Sequence, residues 1–440
     1  MAVRGLRAWL RAGSALGLLA GVTVSANAGG FAVHEQSAYF QGMSFAGAAA
    51  GGDLSGMFWN PAVMTQFAGI NSYTSISAIL PYASNNPTAG TYLALGGTSN
   101  VGDQALVPGS YFSYQLNPSL WLGMSVNAPF GLSEHFPTAW AGRDYASGTT
   151  FLRSYNASPS IGYRLNDWIS VGVGVQIQFA KASLNHGVSA FIPFLGGFVP
   201  VGDANLSGDG WGYGFTAGVT LMPTPATTIG LGYRSSIDQK ISGTLTIPIA
   251  GGFGADTTVK LPDMVSLGIR QRLNPQLSLL GTVEWTNWSR IGTSVISTAA
   301  PVPAAALNLP FDYKDGWFFS AGAEYQATDR LTLRTGLAYE ISPVTDSVRM
   351  PLVPDNDRFW ASVGATWQIW RGFSADIAYS HVWVRDPTIN ISAASGNPWF
   401  ATTGVTYIGD VSAHVDIISI GIKYRWDEPK APVKTGLITK

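Results

Sequence analysis

Five histidines, His34, His135, His186, His381 and His414, are scattered along 440 residues, and there is no cysteine. That inventory leaves no disulfide framework and no thiolate metal site, and the histidines fall at no metal-ligand spacing. Serine and histidine never sit in a recognisable nucleophile arrangement. The charges that do fall in a pattern are Arg234, Arg270, Glu284, Glu324, Arg334, Glu340 and Asp376. Glu284, Glu324, Glu340 and Asp376 face comparably frequent arginines, so they read as a paired ladder along a wall rather than an acid–base couple. We expect no enzyme, no cofactor and no metal.

These charges are positioned by strands. From about residue 70 onward, apolar and polar positions alternate with period 2, as in sheets with two unlike faces. Between Trp211 and Leu221 the odd positions are Trp, Tyr, Phe, Ala, Val and Leu, with Gly and Thr between them. Leu331, Leu333, Leu337, Tyr339 and Ile341 share one face, and Arg334 and Glu340 the other. Fourteen such segments lie near 70–82, 106–115, 119–128, 149–164, 168–183, 209–222, 227–246, 259–272, 277–291, 316–326, 331–342, 358–370, 373–384 and 411–426. Short turns such as Leu165-Asn166-Asp167, Asn274-Pro275-Gln276 and Arg371-Gly372 alternate with long Gly/Pro/Ser/Asn-rich connections.

An even number of antiparallel strands, short turns at one end and long loops at the other describe an all-β, 14-stranded transmembrane barrel of the bacterial outer membrane. A secreted sandwich or propeller is the soluble alternative. It would not put charges of both signs on the non-aromatic face, and it would not crowd aromatics at strand ends. Charged residues are 12% of the chain, against roughly 25% in an ordinary soluble domain. The formal net charge of −1 is too mild to imply a nucleic-acid partner.

Arg4, Arg7 and Arg11, the apolar run Ala12 to Val24 and the small residues Ala26-Asn27-Ala28 form a secretory signal, with removal of 1–28 expected. Ile420, Ile422, Tyr424 and Trp426 end the last strand on an aromatic, like a recognition signal for outer-membrane assembly machinery, and 427–440 reads as a periplasmic tail. Residues 29–68 lack the alternation but carry Phe31, Tyr39, Phe40, Phe45, Phe58 and Trp59, with a helix-capable stretch from Ser37 to Ala50. Such apolar content at the mouth of a barrel, 69–426, favours a packed plug or hatch over a disordered leader.

The third strand carries a break. Pro129 has no N–H for a ladder and Gly131 permits a bend, so Asn127-Ala128-Pro129-Phe130-Gly131 either ends the strand or kinks it.

The start Gly29-Gly30-Phe31, the triplet Asn60-Pro61-Ala62, the strand from Asp209 to Gly214 and the run 334–367 resemble the FadL-type outer-membrane transporters of long-chain fatty acids and other hydrophobic compounds. The resemblance covers essentially the whole mature chain. It implies a fourteen-stranded barrel closed by an N-terminal hatch, with a kink in the third strand opening a lateral hole at Asn127, Pro129, Phe130 and Gly131. It also implies head-group cations at Lys181 and Lys314 and a pocket lined by Phe31. Parity puts Lys314 on the lumen face with Ser320, Gly322 and Glu324. It puts Lys181 with Val173, Val175, Ile177 and Phe179 on the lipid face, where only a bulge or a strand end would turn it inward. Lys181 snorkelling to lipid head groups is the other reading.

Burying an acyl chain in a dry site is worth on the order of 25 cal/mol per Å², so a hydrophobic solute gains little from an aqueous channel. The connections 187–208 and 247–258 are the expected capture grooves, with Phe191, Ile192, Phe194, Leu195, Phe198 and Val199 unusually apolar for a loop. The expected function is passive, ligand-gated uptake of long-chain fatty acids, with monoaromatic hydrocarbons as the second substrate class. A general diffusion porin and an outer-membrane lipid hydrolase or adhesin are the alternatives of other classes. The expected surroundings are outer-membrane lipid and lipopolysaccharide.

Overall fold

Strands with one apolar and one mixed face must close on themselves or leave edges unpaired in lipid. In the computed structural model, which describes residues 30–427, fourteen strands form one wall. They are β1 (Ile70–Gly90), β2 (Ala105–Asn117), β3 (Leu120–Asn127 and Gly131–Phe136), β4 (Gly148–Arg164), β5 (Ile169–Ile192), β6 (Gly197–Thr224) and β7 (Thr227–Arg234 and Ile237–Ile247). They continue as β8 (Gly251–Leu261 and Met264–Arg272), β9 (Leu277–Thr286), β10 (Gly316–Thr328), β11 (Leu331–Ile341), β12 (Arg358–Trp370), β13 (Phe373–Val384) and β14 (Tyr407–Arg425). Each pairs antiparallel with the next. β14 returns to β1, from Asn71 opposite Arg425 to Gly90 opposite Tyr407, and closes the barrel. The signal segment and the tail beyond Asp427 lie outside the described residues. Asp427 itself accepts a hydrogen bond from the Ile70 N–H, 3.0 Å.

The two faces divide as the alternation predicts. Trp211, Tyr213, Phe215, Leu333, Leu337 and Tyr339 are exposed on the outside, while Arg334, Ala338 and Glu340 are buried within. Nearly everything from Gly30 to Thr65 is also buried, inside the barrel. This plug presses its backbone onto inward-facing glycines of the wall. A Cβ at Gly230 would lie 1.8 Å from the Ala49 carbonyl oxygen, and one at Gly232 1.8 Å from that of Trp59. Close approach, rather than turn geometry, is what those glycines permit.

Three expectations need correction. Residues 187–208 are not a loop: β5 and β6 pair as far as Ile192 opposite Gly197, with one bulge at Val201, and only Pro193–Leu195 and Gly196 turn the chain. Likewise Gly251–Leu261 is the outer half of β8, paired with β7, so 247–258 is a tight hairpin end. β-Branched and aromatic residues in these stretches favour an extended pleat whenever a partner strand is present. The third correction concerns Ser37 to Ala50. Its helix is a single turn, α1 (Ala38–Gln41), capped by Ser37 Oγ on the Phe40 N–H at 3.2 Å. Positive φ at Ser44 (48°) and Phe45 (61°) ends it, and Ala48–Ala50 forms only a 3-10 turn.

β7 and β8 carry interruptions that the alternation hides. β7 breaks at Ser235-Ser236 and β8 at Pro262-Asp263. The two bend together, Met264 opposite Arg234 before the break and Leu261 opposite Ile237 after it. Away from β6 the effect is larger. The β6–β7 ladder stops at Thr216 opposite Arg234 and resumes at Asp209 opposite Ser242, leaving 210–215 paired with β5 but without a ladder partner on the β7 side. Ser235 spans the gap, its N–H donating to the Phe215 carbonyl (2.9 Å) and its Oγ accepting the Phe215 N–H (2.8 Å).

Candidate functional site

The kink in β3 opens a window in the wall. Pairing of β2 with β3 ends at Ser110 opposite Val126. The two sides next meet at Ser133, whose carbonyl accepts the Asp103 N–H (3.3 Å) and whose Oγ donates to Asp103 Oδ2 (2.8 Å), followed by the Gly102–Glu134 bridge and the His135 N–H to the Val101 carbonyl (2.8 Å). Between those contacts Ala128, Pro129 and Phe130 face no strand. Across β4 the kink is held by Ser154, whose Oγ accepts the Phe130 N–H and whose N–H donates to the Phe130 carbonyl, 2.8 and 3.1 Å.

The plug fills the window. The Val33 N–H donates to the Pro129 carbonyl (2.9 Å) and the Gly131 N–H to the Phe31 carbonyl (3.0 Å), so residues 31–33 act as a short strand along the kink. Gln36 completes the seal. Its Nε2 donates to the carbonyls of Ala128 and Val33, both 2.9 Å, and its Oε1 accepts the Ala128 N–H at 3.3 Å. One side-chain amide thus satisfies both main-chain groups that the missing strand would have paired. From β2, Tyr111 Oη donates to the Gln36 carbonyl at 2.9 Å, and Asn127 Nδ2 donates to Tyr111 Oη at 2.7 Å. Asn127, Pro129, Phe130 and Gly131 are therefore together at one break, but Gln36, which joins them to the plug, was not visible in the sequence.

Charged side chains hold the plug elsewhere. Tyr39 Oη donates to Glu324 Oε2 (2.6 Å) and accepts from Arg270 (3.1 Å), and the Arg334 guanidinium lies 3.8 Å above the Tyr39 ring. Arg270 and Arg334 both pair with Glu324, and Arg334 reaches Asp376 at 3.7 Å. This is the expected charge ladder, with the plug threaded into it. Asp53 pairs with Lys423 of β14. Asn60 binds its own segment at Ala49 (2.8 Å) and the wall at the Val219 carbonyl (2.9 Å), while its Oδ1 caps Ala62 (3.0 Å) ahead of the 3-10 turn that Pro61 begins. At the other end the Gly30 N–H donates to Asp355, 2.9 Å.

Two plug residues are buried at unusual cost. Burial pushes the Glu35 carboxyl up to about 7, and burial, with Arg358 adding to it, lowers the His34 imidazole to about 4. A neutral His34 makes its 3.5 Å approach to Glu284 a contact and not an ion pair.

Phe31 stands at the head of an aromatic cluster, 4.8 Å from Trp288 and 6.2 Å from both Phe130 and Phe311, in edge-on geometries. Beside this cluster, sharing Phe130 with it, lies a cavity of about 50 Å³ whose lining includes Ala32 but not Phe31 itself. Its walls come from the plug (Ala32, Val33, His34, Phe58, Trp59), the β3 kink (Pro129, Phe130) and the breaks in β7 and β8 (Arg234, Ser235, Ile237, Pro262, Met264). Gln176, Glu284 and Thr286 complete it.

Neither expected head-group lysine reaches this cavity. Lys181 is exposed on the outer face of β5, opposite Arg153, because the register runs without a shift through that part of the strand. Lys314 precedes β10 and is exposed, with its backbone N–H held by the Pro343 carbonyl at 3.0 Å. The basic residue that lines the cavity is Arg234, which the alternation had marked only as one of the lumen charges. Phe191, Phe194 and Phe198 gather at the tip of the β5–β6 hairpin, Phe191 and Phe198 with ring centroids 5.4 Å apart and Phe194 85% exposed.

Comparison with known proteins agrees along nearly the whole chain. Residues 19–426 match the family described as outer membrane protein transport protein (OMPP1/FadL/TodX). A long-chain fatty acid transport protein of Salmonella typhi is 27% identical over 422 residues, covering 88% of this chain and 95% of its own. Among solved structures, a Pseudomonas aeruginosa FadL homologue superposes with a TM-score of 0.80 at 22% identity, over 90% of this chain and 100% of that one. The Ralstonia pickettii toluene transporter TbuX superposes at 0.63 and 19% identity, over 89% and 100%.

Proposed function

The chain belongs to the outer membrane protein transport family (OMPP1/FadL/TodX), and on that premise we propose that it carries long-chain fatty acids or similarly apolar molecules passively across the outer membrane. Solute is captured at the β5–β6 hairpin tip, where Phe191, Phe194 and Phe198 offer apolar surface to the outside. It passes to the aromatic cluster around Phe31 and leaves sideways, through the window beside Pro129, into the bilayer. Bound ligand acts as the gate by displacing the plug strand 31–36. Lysines 181 and 314 serve at most at the outer rim, since both side chains are exposed.

The observation that carries this reading is the seal itself. The wall is broken at β3, and what closes it is not another strand of the barrel but the N-terminal segment, through Val33 and Gln36. Lateral release suits the cargo, because an acyl chain loses several kcal/mol of favourable transfer if it is forced back into water. A general porin needs a water-filled lumen, whereas here buried residues 30–65 occupy it. Monoaromatic hydrocarbons form the second reading, favoured by the small cavity and its aromatic walls. Mass spectrometry of molecules co-purifying with the protein, together with single-channel conductance, tests the proposal. Co-purified fatty acids and no steady current are expected, and a large constant open pore would refute it.

A further inference from the structure

Among the described residues five arginines are buried: Arg143, Arg234, Arg334, Arg349 and Arg358. Four have a carboxylate partner, Arg143 with Asp203 (3.1 Å), Arg334 with Glu324 (2.9 Å), Arg349 with Asp346 and Arg358 with Asp355 (2.6 Å). Arg234 is different. Its Nη1 donates to the Phe58 carbonyl at 3.0 Å, its Nη2 to Gln176 Oε1, and its guanidinium lies 4.2 Å over the Phe58 ring. All of these are neutral partners. A guanidinium withdrawn from water without an anion is costly to keep, and five N–H groups exceed the two acceptors found for it.

The surroundings fit an anion with an apolar tail. Arg234 lines the cavity at the break in β7, and the opposite wall is Val33, Pro129 and Phe130 at the window. Gln176 is fixed in turn, its Nε2 donating to the Phe215 carbonyl at 2.8 Å, so the guanidinium is held in one orientation. Glu284 shares the cavity and lies within electrostatic reach of Arg234, but it forms no ion pair with it; its close contact is with His34, at 3.5 Å.

We propose that Arg234 is the head-group site of this protein. It binds the carboxylate of a long-chain acid while the acyl chain extends past Phe130 towards the window. The proposal rests on the reading of the chain as a carrier of apolar solutes and narrows it to carboxylates over hydrocarbons. Its site differs from the lysines at 181 and 314. Because the Phe58 carbonyl is one of the two acceptors of Arg234, a carboxylate competing for the guanidinium also loosens the plug.

The test is equilibrium binding of palmitate, methyl palmitate and toluene to purified protein in lipid nanodiscs. Arg234→Gln is expected to weaken palmitate about 10- to 100-fold, the range for a lost charge-assisted bond, and to leave the ester and toluene within about twofold. Arg234→Lys, which keeps the charge without the planar fork, is expected to fall between, and it carries the test if the glutamine variant does not fold. Lys314→Gln and Lys181→Gln should change the ratio of acid to ester affinity by less than about twofold. Equal loss of all three ligands in Arg234→Gln would mean that the residue acts through the fold, and the proposal falls. An acid-selective loss at Lys314 in place of Arg234 overturns it too. Wild-type protein that binds ester and toluene, but palmitate no better, defeats the head-group site and leaves the transporter reading standing. Failure to bind any of the three sinks the transporter reading itself, and this proposal with it.

Discussion

Replacing Gln36 by alanine removes the side chain that stands in for a strand at the β3 window. Three hydrogen bonds go with it: Nε2 to Ala128 and to Val33, and the Ala128 N–H to Oε1. Each is worth about 0.5–1.5 kcal/mol net, and the main-chain groups of Ala128, which is fully buried, are left to find other partners. Alanine can supply none. A loss of about 2–4 kcal/mol in the docking of the plug strand is therefore expected. That corresponds to roughly a 30- to 700-fold rise in the undocked fraction. Since the protein has no cysteine, a single one introduced at Ala32 reports docking by its rate of alkylation. In proteoliposomes Gln36→Ala should label faster by that factor and should admit fatty acid faster without raising ionic conductance. A variant that labels and transports like the parent would show that Gln36 is only space filling, and the account of the seal would fail.

Pro129→Val together with Gly131→Val should restore a ladder donor and remove a flexible point in β3. Such protein is expected to resist heat as the parent does and to bind ligand at its surface, yet to support little uptake; normal uptake would eliminate the lateral route. Asp53→Asn breaks the ion pair of buried Asp53 with half-buried Lys423, which keeps Asp376 within electrostatic reach, so plug docking is expected to weaken by about 1.5–3 kcal/mol. Limited proteolysis between Gly30 and Phe67 should then be much faster, and unaltered resistance would count against a docking role. For pH, Glu35 rises from 4.5 to about 7 on docking, so its contribution is intact below pH 4.5 and is lost as pH climbs to about 7. His34, lowered from 6.5 to about 4, loses its contribution in the other direction, as pH falls from 6.5 to about 4. The two offset one another in between, so docking weakens above about pH 6.5 and below about pH 4.5. Above about pH 6.5 the uncompensated Glu35 loss spans only about half a pH unit, about 0.7 kcal/mol; Glu35→Gln should abolish it and uncover the full His34 acid loss, about 3 kcal/mol between pH 6.5 and 4. Hydrogen exchange at the plug amides measures both limbs, and an unchanged alkaline limb would refute the assignment.

Much of the barrel is a local matter. Alternation at period 2 and turns such as Leu165-Asn166-Asp167 depend on neighbours in the chain, so the number of strands and the inward face of Arg334 and Glu340 could be read directly, whereas parity left Lys181 open between the lipid face and an inward turn at a bulge. Pro129 could be read for the same reason, because a missing N–H is a property of the residue itself. The apolar content of residues 29–68 pointed to a packed plug, and the family resemblance added the meaning of the kink.

What the residues alone could not decide depends on partners distant in the chain. Ser235-Ser236 carries no proline and no glycine, and its break exists because β7 leaves β6 where Gly212 and Gly214 admit Ile237 against the strand, a Cβ at Gly212 falling 2.4 Å from an Ile237 methyl. The 187–208 stretch is strand rather than loop because each half is the other's partner. Residues 30–67 have no period to read, since their conformation is imposed by the surrounding wall. Gln36 becomes a strand surrogate, and Arg234 a buried cation outside any ion pair, only once plug and barrel meet. A strand's faces are set by its own pleat. A site built where two structures touch is decided by the tertiary contact alone, and here that contact joins residues as far apart in sequence as Phe58 and Arg234.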